Sequence, residues 1–167
     1  MDEAPSKSAI VLAWLAAVLV VGLIILGIAL YGFSAEVHSR FWKDILARPG
    51  GPMTFRFILQ PIMATIAALH DGIRDARLGR SPYFWTILHS PQKRGARLRE
   101  GFISTARIIL LGLGMDTIYQ VEVLKTFYPG EAVLTALLLA FVPYLLLRGP
   151  IARLAYHWTA QPVHQDN

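Results

Sequence analysis

Cysteine is absent from all 167 residues, which removes disulfides, iron–sulfur clusters, cysteine-ligated zinc and thiol nucleophiles. Charge is scarce as well: Asp, Glu, Lys and Arg make up 16% of the chain, against roughly a quarter in soluble domains. Other chemistries lack their parts. No glycine-rich phosphate loop ends in Lys-Ser/Thr, no Gly-x-Ser-x-Gly elbow occurs, and neither His-Glu-x-x-His nor the Glu-x-x-His of di-iron bundles is present. No helix-turn-helix or zinc-finger pattern surrounds the basic residues, so the net charge of +5 does not point to nucleic acid. No cofactor or metal is expected, and a non-enzymatic role comes first.

What the chain has in abundance is apolar residues, 54% of the total, which places it among membrane proteins. Residues 9–33 run 25 positions without a charge, longer than the roughly 20 residues needed to cross a hydrocarbon core. The acidic start, with Asp2 and Glu3, and the length of the run favour a retained anchor over a cleaved signal peptide. A second span covers 132–147 and is expected to stop at Arg148-Gly149-Pro150, with a kink at Pro143. A third covers 102–121 although it carries Arg107 and Asp116, and Tyr128-Pro129-Gly130 provides the turn of a helical hairpin. The stretch 53–70 has only 13 residues of nearly unbroken apolar sequence, interrupted by Gln60 and Pro61. That length favours a re-entrant or membrane-associated helix, followed by a basic loop over 71–101. The expected fold is therefore all-α, a single membrane domain over 1–167 with three transmembrane helices.

Counting Lys and Arg orients these spans. Three crossings put fourteen of the sixteen basic residues on one side, leaving Lys7 and Lys125 on the other. Four crossings give eleven to five, because Arg40, Lys43, Arg48 and Arg56 join Lys125. The positive-inside rule prefers the first arrangement, with the N-terminus outside and the C-terminus cytoplasmic. Residues 36–48 and 151–158 have apolar positions at helical spacing and are expected as separate interfacial amphipathic helices on the cytoplasmic side.

Three constellations are candidates for function. Asp116 falls about 7 Å from the middle of its span, and an ionisable group there is expensive unless it has a partner or a water path. Gln120, one turn on, shares its face, whereas Arg107 lies on the opposite face of the helix. The bland reading gives Asp116 an interhelical partner such as Tyr144, Thr135 or Gln60; the sharper one makes it part of an ion or proton path in an oligomer. His70, Asp71 and Asp75 could hold a divalent metal against a lipid headgroup, or simply form a solvated helix end. The stretch superficially resembles the opening of the CDP-alcohol phosphotransferase signature. Three residues rather than two separate Asp71-Gly72 from Ala76-Arg77, however, and no aspartates continue it. Lys93, Arg94, Arg97, Arg99 and Arg107 form a juxtamembrane basic cluster that attracts anionic lipid.

Three further stretches carry a resemblance: GRSPYFW at 79–85, TARIILLGLGMDTIYQ at 105–120, and FYPGEA with the later VPYLLLRGPIAR. Over residues 53–158 the chain resembles small multi-spanning inner-membrane proteins of proteobacteria with no assigned activity. The resemblance implies a bacterial inner membrane and assigns no functional residues. The expected function is an accessory or assembly subunit of a membrane complex, associated with anionic lipid and with a protein partner or further copies of itself. The alternatives are an oligomeric transporter using Asp116 and a headgroup enzyme using His70, Asp71 and Asp75.

Overall fold

A computed structural model describes residues 5–32 and 34–159, all of whose regular structure is helical. In chain order the helices are α1 (Lys7–Tyr31), α2 (Ala35–Ala47), α3 (Arg56–Arg77), α4 (Tyr83–His89), α5 (Pro91–Tyr119) and α6 (Pro129–Thr159). A short 3₁₀ turn, Arg48–Gly50, follows α2, and a π turn, Gln120–Leu124, prolongs α5. Local chemistry sets several of these boundaries. Ser6 and Ser34 accept hydrogen bonds from the amides of Ala9 and Val37, capping α1 and α2. Pro91 opens α5, where a missing N–H costs nothing.

Three helices are long and apolar enough to cross a membrane: α1 with 25 residues, α5 with its π turn at 34, and α6 with 30 of its 31 residues. The basic loop expected over 71–101 is instead mostly helix: the end of α3, all of α4 and the first turns of α5. α6 likewise continues as one helix past Pro143 and Pro150, so 151–158 extends it rather than forming a separate helix. Packing overrides the helix-breaking residues: Arg148, Gly149 and Ala152 are buried, and Ile151 presses on Gly72. α2 occupies the amphipathic stretch expected at 36–48.

The stretch expected as a short helix at 53–70 extends to Arg77, giving α3 22 residues, which at 1.5 Å each reach as far as a span. It lies alongside α5 and α6 from end to end. Arg56 meets Asp116 at one extreme, Gln60 sits level with Gly112 and Ala136, and Asp75 meets Arg148 at the other. α3 thus runs parallel to α6 and antiparallel to α5. α1 leans on the α5–α6 pair, with Ala13 and Trp14 beside Phe102 and Ile103, and Gly27 against Gly130. A Cβ on Gly27 would fall 2.9 Å from the Gly130 amide nitrogen, so only glycine permits this approach. The start of α1 and the end of α6 consequently lie at the same end of the bundle. The charge count led to the opposite expectation because it treated 53–70 as too short to run the full length.

The buried faces repeat every fourth residue and use small side chains. α6 contributes Ala132, Ala136, Ala140, Tyr144, Arg148 and Ala152; α3 contributes Arg56, Gln60, Ala64, Ala68 and Gly72. Alanines in these rows let the backbones approach closely, as in membrane helix packing. Large apolar side chains point outward instead. On α3, Ile58, Ile62 and Ile66 are 63%, 50% and 61% exposed, while Arg56 and Gln60 are 1% exposed. α1, the most apolar helix, buries only Ala13 and Ala16.

Candidate functional site

The small-residue rows end in charge, and each end of the bundle holds a buried polar cluster. The far cluster forms where α2 turns into α3 and where the α5–α6 hairpin closes. Arg48, from the 3₁₀ turn, donates through Nη1 to Asp116 Oδ1 at 2.7 Å and to Thr135 Oγ1 at 2.8 Å, and through Nη2 to Glu131 Oε2 at 2.9 Å. Arg56 Nη1 lies 2.6 Å from the same Asp116 oxygen. Gln120 donates to Asp116 Oδ2 at 2.6 Å and accepts from the Tyr128 amide, pinning the hairpin turn to the network. The Tyr119 ring lies beneath both guanidinium groups, 5.5 Å from that of Arg48 and 5.0 Å from that of Arg56. Arg40, from α2, covers the Tyr128 ring at 4.0 Å, with Nε 3.6 Å from Glu131 Oε1.

Asp116 and Gln120 therefore do share a hydrogen bond, but the interhelical partners of Asp116 are two arginines, not Tyr144, Thr135 or Gln60. Thr135 instead receives a hydrogen bond from Arg48. Sequence reading missed Arg48 and Arg56 because neither lies in an apolar run. The available signal was the four-residue spacing from Arg56 through Gln60 to Ala64 and Ala68, which puts the arginine on the small-residue face.

The near cluster joins the C-terminal half of α3 to α5 and α6. Asp75 takes both arms of Arg148, Nε to Oδ2 at 2.8 Å and Nη2 to Oδ1 at 3.0 Å, and also accepts from Arg97 at 3.2 Å. Arg148 further donates to the Tyr144 hydroxyl and to Glu100 Oε1, each at 2.6 Å. Tyr144 and Ser104 both donate to Asp71 Oδ2 at 2.6 Å. Arg80 approaches Asp75 and Glu100 at 3.5 Å. Tyr83, on α4, packs under Arg148 at 4.3 Å and donates to the Arg97 carbonyl at 2.6 Å; burial pushes its hydroxyl up to about 12.

Asp71 and Asp75 thus face into the bundle, with their oxygens engaged by hydroxyls and guanidinium groups. The His70 side chain is 80% exposed, with Nδ1 3.3 Å from Asp71 Oδ1. Among the described residues no group of three or more His, Asp or Glu side chains is placed to hold a metal ion. The basic cluster divides. Arg97 turns inward to Asp75 and Glu100, and Arg94 donates to the carbonyls of Ile87 and Leu88. Lys93, Arg99 and Arg107 are exposed.

The chain was compared with family profiles, curated proteins and solved structures. None matches.

Proposed function

We propose that the protein is an integral protein of the bacterial inner membrane in which α1, α3, α5 and α6 all cross, and that it acts by packing against lipid and partner proteins rather than by catalysis. The observation that carries this reading is the inside-out distribution on α3: apolar Ile58, Ile62 and Ile66 outward, Arg56, Gln60, Asp71 and Asp75 inward. In water that arrangement would expose apolar surface and bury charge, both at a cost; in a bilayer the outward face meets hydrocarbon and polar groups belong in the interior. With four crossings, eleven basic residues lie at the end holding both helix termini and five at the other, so the positive-inside rule places that first end in the cytoplasm. Exposed Lys93, Arg99 and Arg107 on that side suit anionic headgroups.

The non-catalytic part rests on how the acidic groups are used. Asp71, Asp75 and Asp116 are each committed to arginine, hydroxyl or amide donors. Between the clusters, Ala64, Ala68, Ala136, Ala140 and Ile109 are at most 1% exposed and close the interior. An accessory or assembly subunit needs this kind of fixed, internally paired scaffold with a lipid-facing exterior.

The missing cysteines supply the test, because each introduced thiol is the only one. With four crossings, thiols at Ser8→Cys and Ser81→Cys react from one side of the membrane, and those at Ser39→Cys and Thr126→Cys from the other. Labelling of Ser39→Cys and Ser81→Cys from the same side would restore three crossings. Release of the protein by alkaline carbonate would end the integral-membrane reading altogether.

A further inference from the structure

Arg107 is exposed, and it forms no hydrogen bond, ion pair or ring contact with any described residue. Its depth makes that unusual. Arg56 and Asp75 on α3 are nineteen residues apart, and so are their partners on α5, Asp116 and Arg97. At 1.5 Å per residue, both helices set the two polar clusters about 29 Å apart, the thickness of a hydrocarbon core. Arg107 falls ten residues from Arg97 and nine from Asp116, so its backbone lies halfway between the clusters. Lys93 and Arg99 stand at the near end, where headgroups can meet them. Arg107 stands more than two turns from either cluster, whereas snorkelling to the interface serves side chains near helix ends. Counted with neither end, it leaves the basic residues divided ten to five, and the orientation stands.

A second feature shares its face. At 100° per residue, Leu111, Gly114 and Ile118 all lie within about 40° of Arg107 on α5, and Asp116 lies on the opposite side. Leu111 and Ile118 are 39% and 53% exposed, and a Cβ added to Gly114 would meet nothing within 4 Å. Gly101 and Gly112, on the inner side of the same helix, are pressed by Tyr83 and Gln60. Internal packing thus accounts for neither the charge nor the glycine at 114, although a glycine on a membrane helix lets another helix come close.

We infer that this face of α5 receives a transmembrane helix of a different protein that carries an Asp or Glu at mid-depth, with the carboxylate on Arg107 and the backbone against Gly114. The inference rests on the membrane reading above and specifies the chemistry of the partner. A cation surrounded by hydrocarbon calls for a countercharge, and a carboxylate can take two parallel hydrogen bonds from one guanidinium. A second copy supplies no such group. Copies inserted in the same direction meet at equal depth, and among the described residues no exposed carboxylate lies level with Arg107. Asp71, the nearest in depth, is buried and held by Ser104 and Tyr144, and exposed Glu122 lies six residues beyond Asp116.

The full chain, with a donor fluorophore on Ser8→Cys, is reconstituted into phosphatidylcholine vesicles. Synthetic apolar helices of about 21 residues are added, each with an acceptor and with Glu, Gln or Leu at its midpoint. The midpoint reaches the depth of Arg107 whichever way the peptide inserts. Energy transfer should show the Glu helix binding about tenfold more tightly than the Gln helix, equivalent to about 1.4 kcal/mol. Arg107→Leu should bring that ratio to one, Arg107→Lys should keep part of it, and moving the Glu about two turns towards one end of the peptide should remove it. Gly114→Ile should weaken all three helices. Both positions are exposed, so these variants keep the fold, which thermal unfolding checks.

Equal binding of the Glu and Gln helices overturns the inference, as does a preference that survives Arg107→Leu. Transfer between donor- and acceptor-labelled copies of the chain that Arg107→Leu abolishes would make the occupant a second copy instead. Loss of the Glu preference when phosphatidylglycerol replaces phosphatidylcholine would make it a lipid phosphate. A protein that floats with the vesicles without preferring the Glu helix loses only this inference, whereas one that does not float loses the membrane reading as well.

Discussion

At the near end of the bundle, Arg80, Arg97 and Arg148 meet Asp71, Asp75 and Glu100, three cations against three anions; none of the unpartnered buried atoms lies there. At the far end, Arg40, Arg48 and Arg56 pair with two carboxylates, Asp116 and Glu131, and the buried side-chain atoms without a hydrogen bond among the described residues belong to this group and neighbouring Gln60. Both clusters join α3 to α5 and α6, and both are built on the same four-residue rows. Their difference teaches that buried charge in one fold can serve two purposes. A balanced, fully bonded network locks helices in register, whereas an unbalanced one leaves some of its buried donors and acceptors without hydrogen bonds.

The largest effect should come from breaking the balanced end. Arg148→Met leaves Asp75 buried with only the longer contacts from Arg97 and Arg80, and loss of one partner in such a buried network costs about 3–5 kcal/mol. Thermal unfolding in mild detergent should show a large drop or no folded protein at all. Asp75→Asn/Arg148→Met, which removes both charges, should recover part of the loss. A variant as stable as the parent would mean that the near network does not hold the helices.

A smaller loss is expected where α4 docks. Gly101 faces Tyr83 so closely that an added Cβ would coincide with the tyrosine hydroxyl and come within 2.9 Å of the Tyr144 ring. Gly101→Ala should therefore cost about 1–3 kcal/mol by overpacking. Tyr83→Phe in the same chain removes the clashing oxygen and should return part of that cost, measured as a positive coupling in a double-mutant cycle. Additive effects would place the clash elsewhere. Tyr83 also gives this end a pH limit. Its hydroxyl is raised from about 10 to about 12 by burial, so the folded state keeps the proton after the unfolded chain has lost it. The associated stability is complete below pH 10 and is lost as pH rises to 12, at most about 2–3 kcal/mol for two units. In Tyr83→Phe this part of the alkaline decline should disappear; an identical pH profile in both proteins would show that the hydroxyl does not contribute.

The fold class was legible in the sequence, as were three apolar helices, because uncharged runs such as 9–33 need no tertiary context to be recognised. α3 was not, since its charge hides its length: Arg56, Asp71 and Asp75 lower its apolar score, yet each points inward to a partner that sequence does not reveal. Pro150 misled for the opposite reason, a strong local signal overridden by packing of Gly149 and Ala152. At the candidate site, the adjacency of Asp116 and Gln120 followed from helical spacing alone. Their arginine partners, 60 and 68 residues away from Asp116, did not, because joining distant segments depends on how α3 turns back along the bundle.

The smallest expected effect is also the sharpest contrast between the ends. Arg56 and Arg148 are both arginines at 1% exposure, each salt-bridged to an aspartate at 0%. Arg148 uses Nε, Nη1 and Nη2 in hydrogen bonds, whereas Arg56 has one short ion-pair contact, from Nη1 to Asp116, and leaves Nε and Nη2 without hydrogen bonds. Removing Arg56 also leaves Asp116 held by Arg48 and Gln120, so no carboxylate is stranded. Arg56→Met should accordingly change stability by less than about 1 kcal/mol, and it can stabilise, because an apolar group of similar volume replaces an under-bonded cation. The same unfolding measurement applied to Arg148→Met and Arg56→Met decides the comparison directly. A loss at Arg56 equal to that at Arg148 would show that the far end is as tightly closed as the near one.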